Sequence, residues 1–278
     1  MTKDTSQQPA QPFLIGEDLS ALGRISLGAA LPIFAKTNIP TALAPTTLLS
    51  AQTEGFGTVE SQSLLTWLPE LFAHWQRQNI NLSGALVGYL GSEALINLFE
   101  AYLSQQNLPI VLIDPVMGDS GKLYPNINAA NVTAMSALIQ TATVITPNLT
   151  EAQFLTGRPG TTTVTTAELQ AIFHDLTLLT HNKAQIVITG IPYEAQISTV
   201  WQKGSQLQQL QQPKLSGHFY GSGDTFAAIL ACQLYAKVPF DQAVKRACDL
   251  TYVALKQTAD SHIQRRFGLQ LSALLTQL

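Results

Sequence analysis

The sequence predicts an α/β fold with a doubly wound, mostly parallel sheet and an edge hairpin, and three observations carry that reading. Six short runs rich in Val, Ile and Leu, bounded by Gly, Pro or Asp, alternate with longer helix-patterned segments. The runs are apolar on both faces, as strands covered by helices on each side must be. Near the end, a Gln-rich stretch interrupted by Lys203-Gly204 breaks the alternation and reads as a hairpin.

In chain order, residues 1–11 are polar and read as a disordered tail, with 12–278 as one domain. The strand candidates are 13–17 (FLIGE), 41–45 (TALAP), 85–89 (ALVGY), 109–114 (PIVLID), 143–147 (TVITP) and 185–190 (QIVITG). Helices are expected over 24–38, 60–79, 92–106, 128–141 and 166–181. In 60–79 the apolar residues Leu64, Leu65, Leu68, Leu71, Phe72 and Trp75 recur at helical spacing, and Pro69 predicts a kink or a break. The hairpin is placed at 199–212, and helices follow at 223–236 and 241–258. No internal repeat and no long linker is visible.

With 278 residues and 46% hydrophobic composition, the chain can bury a large core. Charged residues are only 12%, against roughly 25% in an average globular protein, and the net charge is −3. That balance gives no electrostatic footprint for nucleic acid or an anionic membrane, so neither is expected as a partner. A bound polyanion would then need backbone donors or a metal to offset its charge. No run approaches the roughly 18 consecutive apolar residues of a membrane span, and the polar start lacks the apolar stretch of a signal peptide, so a cytoplasmic location is expected. Cys232 and Cys248 sit in apolar, helix-like stretches and read as free core thiols. His74, His174, His181, His218 and His262 are scattered, without metal-ligand spacing.

In open α/β sheets, ligands bind beyond the carboxyl ends of the strands. The strand assignments bring Tyr89 and Gly91, then DPVMGDSGKLY from Asp114, then TPNLTE from Thr146, then GHFYGSGDTF to one rim. In GSGD, Gly221 and Gly223 permit backbone shapes closed to other residues, and the helix that follows presents unpaired amides and a positive dipole end. This is a site for a phosphoryl group. The aspartate in its midst, Asp224, suits a general base that takes the proton of an alcohol attacking phosphorus, while the amides stabilise charge on the phosphoryl group. The alternative is a helix capped by Ser222 or Asp224. Asn148 and Glu151, three apart at a helix start, share a face. They suit Mg²⁺ held through its hydration shell; a plain helix start is again the alternative. Asp114, Asp119, two glycines and Lys122 suit a lid over a nucleotide, against a simple surface loop. No Walker A sequence, dinucleotide fingerprint or Gly-x-Ser-x-Gly elbow is present.

Four stretches, GYLGS (88–92), DPVMGDSGKLY (114–124), ITPNLTEAQFLTG (145–157) and GSGDTFAA (221–228), give the chain a resemblance to the ribokinase-like superfamily and, within it, the pyridoxal kinases. The likeness runs from about residue 12 to the end. It implies a three-layer α/β/α sandwich and transfer of the ATP γ-phosphate to a primary alcohol of a B6 vitamer. On the matching positions, Asp224 is the catalytic base and Gly221, Ser222 and Gly223 the anion hole. Asp114, Thr146, Asn148, Glu151, Thr189, Lys122 and Tyr124 surround ATP, and Asp114, Asp119 and Glu151 the Mg²⁺. Asp18, Ser20, Thr53 and Tyr89 face the substrate. Response to K⁺ and homodimer formation are further implications. Gln52-Thr53 stands where typical pyridoxal kinases have His-Thr. GEDLSALG (16–23) also resembles the branch that phosphorylates the thiamine pyrimidine precursor, which often has cysteine in place of Asp224. That branch and a non-catalytic vitamer binder are the alternatives.

Overall fold

The computed structural model describes residues 10–204 and 206–278. The expected tail lies outside the described residues up to residue 9, and Ala10 and Gln11 are exposed coil. The strands are β1 (Phe13–Gly16), β2 (Leu19–Ser20), β3 (Thr41–Leu43), β4 (Thr47–Leu49), β5 (Ser61–Ser63), β6 (Gly84–Val87), β7 (Val111–Ile113), β8 (Gly118–Asp119), β9 (Lys122–Leu123), β10 (Val144–Ile145), β11 (Gln185–Tyr193), β12 (Gln196–Lys203) and β13 (Gln206–Pro213). The α-helices are α1 (Leu27–Lys36), α2 (Leu68–Arg77), α3 (Glu93–Leu103), α4 (Ala129–Leu138), α5 (Leu149–Leu155), α6 (Thr166–Leu179), α7 (Ser222–Tyr235), α8 (Phe240–Asp260) and α9 (Ser272–Leu275).

The main sheet has eight strands in the order β13-β12-β11-β10-β7-β6-β1-β3. Its pairings are parallel from β3 to β11 and antiparallel through β12 and β13. Alternate residues of each central strand enter opposite cores. Phe13, Ile15, Leu86, Leu112, Val144 and Val187 pack with α1, α7 and α8. Leu14, Ala85, Val87, Ile113, Ile145, Ile186 and Ile188 pack with α2 to α6. This is the three-layer α/β/α sandwich, and its double burial explains why the strands read as unbroken apolar runs.

Three local readings needed correction. The segment 60–79 is not one kinked helix: Ser61–Ser63 is a strand, and α2 begins at Leu68 with Pro69 in its first turn. There the missing N–H is no loss, so the proline starts the helix instead of bending it. Strand β11 does not stop at Gly190; it runs to Tyr193 through a register shift between Ile188 and Ile191, where Gly190 has φ +70°. The edge therefore carries a three-stranded antiparallel meander, of which the Lys203-Gly204 hairpin is the outer half. Beside the main sheet lie a small sheet, β2-β4-β5, and the β8-β9 ribbon. Both sit beyond the carboxyl ends of β1 and β7 and wall the region where the predicted site residues meet.

Candidate active site

Helix α7 starts at Gly221, which has φ +82° and ψ +12°. A Cβ there would lie 2.7 Å from the Arg24 carbonyl oxygen, so both dihedral and space demand glycine. The first intrahelical bond runs from Thr225 N–H to the Gly221 carbonyl at 3.0 Å. The amides of Ser222, Gly223 and Asp224 precede it and have no partner within the helix, which leaves the positive end of the helix dipole free for an anion. Among the described residues, neither side chain caps the helix: Ser222 Oγ donates to the Phe219 carbonyl at 3.3 Å, and the Asp224 carboxylate is bonded outside the helix, so the plain capping alternative does not hold. Instead the Ser26 backbone N–H donates to Asp224 Oδ2 at 2.8 Å. Asp224 is half-buried at the mouth of the cradle. Burial raises its pKa from the usual carboxylate value, and the Ser26 amide partly opposes the rise.

Three more acids stand at the ends of β1 and β7. Asp18 is 2% exposed and accepts a hydrogen bond from Ser20 Oγ at 3.2 Å. Burial pushes its pKa up to about 6, with the Ser26 side chain opposing and the Asp224 charge adding. Asp114 is 6% exposed, and its pKa is raised by burial, then by the charges of Glu151 and Asp224. Glu17, which sequence reasoning missed, is 1% exposed, and neither of its carboxyl oxygens has a hydrogen-bond partner among the described residues. Its pKa is raised by burial and then by Asp224, Asp18 and Asp114. A Cβ on Gly88 would lie 2.8 Å from Glu17 Oε1, so the bare glycine of β6's exit makes room for this carboxyl. Among the described residues, none of the four acids is in an ion pair.

At the end of β10, Asn148 and Glu151 form a reciprocal capping box on α5. Asn148 Oδ1 accepts from Glu151 N–H at 3.0 Å, and Glu151 Oε2 accepts from Asn148 N–H at 2.8 Å. Glu151 Oε1 accepts from Met117 N–H at 3.1 Å, and Asn148 Nδ2 donates to the Gly118 carbonyl at 2.8 Å. The helix-start alternative is thus what both side chains do, and they also tie down the 114–124 segment. Burial nonetheless pushes the Glu151 pKa up to about 8. Thr146 is buried with a hydroxyl that has no hydrogen-bond partner among the described residues, and Thr189 bridges to Asn148 through its N–H to the Pro147 carbonyl at 3.0 Å. Asp119 and Lys122 face each other across the β8-β9 ribbon. Asp119 accepts from the Ser120 N–H, Lys122 is exposed, and Tyr124 is half-buried with its hydroxyl pKa raised, chiefly by burial.

Tyr89 is partly buried, and its pKa is raised by burial and by the nearby Asp18 charge. It lines a cavity of about 480 Å³ together with Thr47, Thr53, Thr58, Gly91 and Asn126. That volume accommodates a small aromatic ligand. Gln52 does not enter the cavity; it is buried and bonded to backbone. Glu17, Asp18, Asp114 and Asp224 therefore share one acidic floor: their charges act on one another, and a Cβ on Gly223 of the GSGD loop would lie 3.4 Å from Asp114 Oδ2. Tyr89 and Thr53 line a cavity of their own, whose wall includes none of these acids and not Ser20. No signal in the sequence distinguishes Glu17 from an ordinary surface acid except its place directly after a doubly buried strand.

Among the described residues, no group of three or more His, Cys, Asp or Glu side chains is arranged to hold a metal ion directly. Buried acids without countercharge do favour a cation. The donor set fits one that keeps most of its ligands as water and phosphate oxygen, with Asp114 or Asp119 contributing at most one or two carboxylates, as Mg²⁺ does. No helix among the described residues is long and apolar enough to cross a membrane. Cys232 and Cys248 are buried and free, and burial pushes both thiols up to about 12.

Comparison with known proteins agrees with this geometry. Residues 34–268 match the family model described as phosphomethylpyrimidine kinase. The crystal structure of pyridoxal kinase from Lactobacillus plantarum superposes with a TM-score of 0.92 at 39% identity, covering 97% of this chain and 96% of that one. A Bacteroides thetaiotaomicron protein provisionally described as a phosphomethylpyrimidine kinase, in a crystal form with pyridoxal, gives 0.89 at 27% identity over 97% and 96% of the two chains. The hydroxymethylpyrimidine/phosphomethylpyrimidine kinase of Haemophilus influenzae is 27% identical over 193 residues, 64% of this chain and 67% of that protein. Aligned parts of relatives from Schizosaccharomyces pombe and Caenorhabditis elegans span only 47% and 61% of those proteins. The chain is a kinase that belongs to the phosphomethylpyrimidine kinase family, on the pyridoxal kinase side of the ribokinase-like superfamily.

Proposed function

We propose that the protein transfers the γ-phosphoryl group of ATP to the 5′-hydroxymethyl group of pyridoxal, and likewise of pyridoxamine and pyridoxine. The observation that carries this is the placement of Asp224: a carboxylate at the mouth of an uncapped helix N-terminus, held by the Ser26 amide and not spent on its own helix. The acceptor alcohol lies between this carboxylate and the cradle. Asp224 takes the hydroxyl proton as oxygen attacks phosphorus. The amides of Ser222, Gly223 and Asp224 stabilise the charge on the phosphoryl group. Asp18, Ser20, Thr53 and Tyr89 orient the ring, and Tyr89 offers it a flat apolar face. Thr146, Thr189, Lys122 and Tyr124 border the nucleotide. Asn148 and Glu151 act mainly by bracing the 117–118 backbone, so that Asp114 and Asp119 hold the hydrated Mg²⁺. When bound with ATP, that ion supplies positive charge to the phosphate oxygens. A K⁺ dependence, a homodimer and a cytoplasmic location complete the reading.

The pyrimidine kinase reading is favoured by the family model itself and by the Haemophilus relative. Pyridoxal kinase is better supported by the 39% identity to the Lactobacillus enzyme and by the pyridoxal in the Bacteroides crystal. The test is Mg-ATP-dependent ADP release measured side by side with pyridoxal, pyridoxamine, pyridoxine and hydroxymethylpyrimidine. Turnover of the B6 vitamers is expected. Turnover of hydroxymethylpyrimidine alone overturns the substrate assignment, and tight vitamer binding without turnover of any alcohol overturns the catalytic reading.

A further inference from the structure

Gln52 is 2% exposed, and its side-chain amide makes three hydrogen bonds. Nε2 donates to the carbonyls of Glu54 at 2.5 Å and Arg266 at 3.0 Å, and Oε1 accepts from the Glu54 N–H at 3.2 Å. Its own N–H donates to the Leu22 carbonyl at 3.1 Å. One side chain thus staples the 52–57 segment to a turn 214 residues away. A second tie lies alongside. Arg266 NH1 donates to the Gly55 carbonyl at 2.8 Å, its guanidinium lies 4.7 Å from the Phe56 ring centre, and Phe56 meets Phe267 edge-on at 5.2 Å. The stapled segment reaches the 480 Å³ cavity through Thr53 and Gly57, and Thr58 follows directly in its lining. The turn that anchors it also supports the catalytic loop. Arg24 N–H donates to the Phe267 carbonyl at 2.9 Å, and the Arg24 carbonyl abuts Gly221.

We infer that Gln52, with Arg266, is a positioning pair that fixes the wall of the acceptor-alcohol pocket and ties it to the support of the GSGD loop. It acts on the alcohol through Thr53 and its neighbours. An amide suits this position because two carbonyls need donors while one backbone N–H needs an acceptor, and Gln supplies both functions from one planar group. A histidine at this position donates to one carbonyl at most when its other nitrogen accepts. The wall is therefore set differently here from a site in which residue 52 faces the ring.

The inference rests on the proposed kinase reaction, and the experiment separates the two. Steady-state kinetics are run on the full chain with pyridoxal and with hydroxymethylpyrimidine for wild type, Gln52→Ala and Arg266→Met, the second variant keeping an apolar stem in case the first does not fold. With the carbonyls that the pair holds left unpaired and the pocket wall released, KM for the alcohol is expected to rise about tenfold or more, while KM for ATP stays within about twofold. An unchanged KM for the alcohol overturns the inference. So does a rise in both KM values in step, which marks a merely structural role. If wild type turns over hydroxymethylpyrimidine alone, the vitamer assignment falls and the pair is judged on that alcohol. If it turns over neither, both fall.

Discussion

Replacing Asp18 with Asn removes a carboxyl whose ionisation the fold opposes. The side chain is 2% exposed, and burial, with the Asp224 charge, moves its pKa from 3.8 to about 6. At roughly 1.4 kcal/mol per pH unit, ionising it inside the folded protein costs about 3 kcal/mol. The direction follows from linkage. A carboxyl whose folded pKa exceeds its unfolded value favours the fold below the unfolded pKa, and that contribution is lost as pH rises through the folded one. The window here runs from 3.8 to about 6. The amide is isosteric, and its oxygen still accepts from Ser20 Oγ. Asp18→Asn should therefore match wild type near the lower end of the window and exceed it by up to about 3 kcal/mol at pH 8. Urea denaturation at several pH values reads the difference, and vitamer kinetics on the same samples should show KM rising as stability rises, since a buried acid kept at such expense serves the ligand. A stability difference that does not grow with pH, or a variant weaker than wild type at pH 8, refutes the reasoning.

Other outcomes follow from single contacts. Gly221→Ala forces a side chain into φ +82° and to 2.7 Å from the Arg24 carbonyl; a stability loss of about 1–3 kcal/mol is expected, with kcat falling further because the cradle shifts. Asn148→Ala removes the cap that Glu151 N–H uses and the donor to Gly118. It should lower stability by about 1–2 kcal/mol, measured by denaturation, and raise KM for ATP more than KM for the alcohol. Removing divalent metal with EDTA should abolish turnover and return it on adding Mg²⁺, with little change in thermal stability, because no ready-made cluster of three protein ligands exists among the described residues.

The parts of the fold that the sequence made legible are those whose signal is local. Central strands such as Phe13–Gly16 and Val111–Ile113 bury both faces, so their composition alone marks them. The small sheet was not legible: Ser61–Ser63 is exposed along its length and has no apolar alternation to betray it. Helical spacing around Leu64 and Leu65 concealed it further, because those residues pack on the core from irregular backbone. The extension of β11 past Gly190 depended on an antiparallel partner, which no local pattern reports.

The candidate site divides the same way. GSGD, Asp114 and Asn148 were visible because glycine shape, strand ends and cap spacing are local facts. Whether Asp224 caps its helix or faces the cradle was not, because the deciding donor, Ser26 N–H, is 198 residues away. Glu17 escaped, and Gln52 stood out only as a departure from His-Thr and not as a staple, for a related reason. Burial without a partner, and bonding to Arg266 across 214 residues, are properties of the assembled chain.

The most direct test of the account is Asp224→Asn, which keeps an oxygen for the Ser26 N–H and the shape of the loop but cannot take a proton. The account predicts a fall in kcat of about 10²–10⁴-fold with the dissociation constant for Mg-ATP within about twofold of wild type. Turnover within a few-fold of wild type would contradict it.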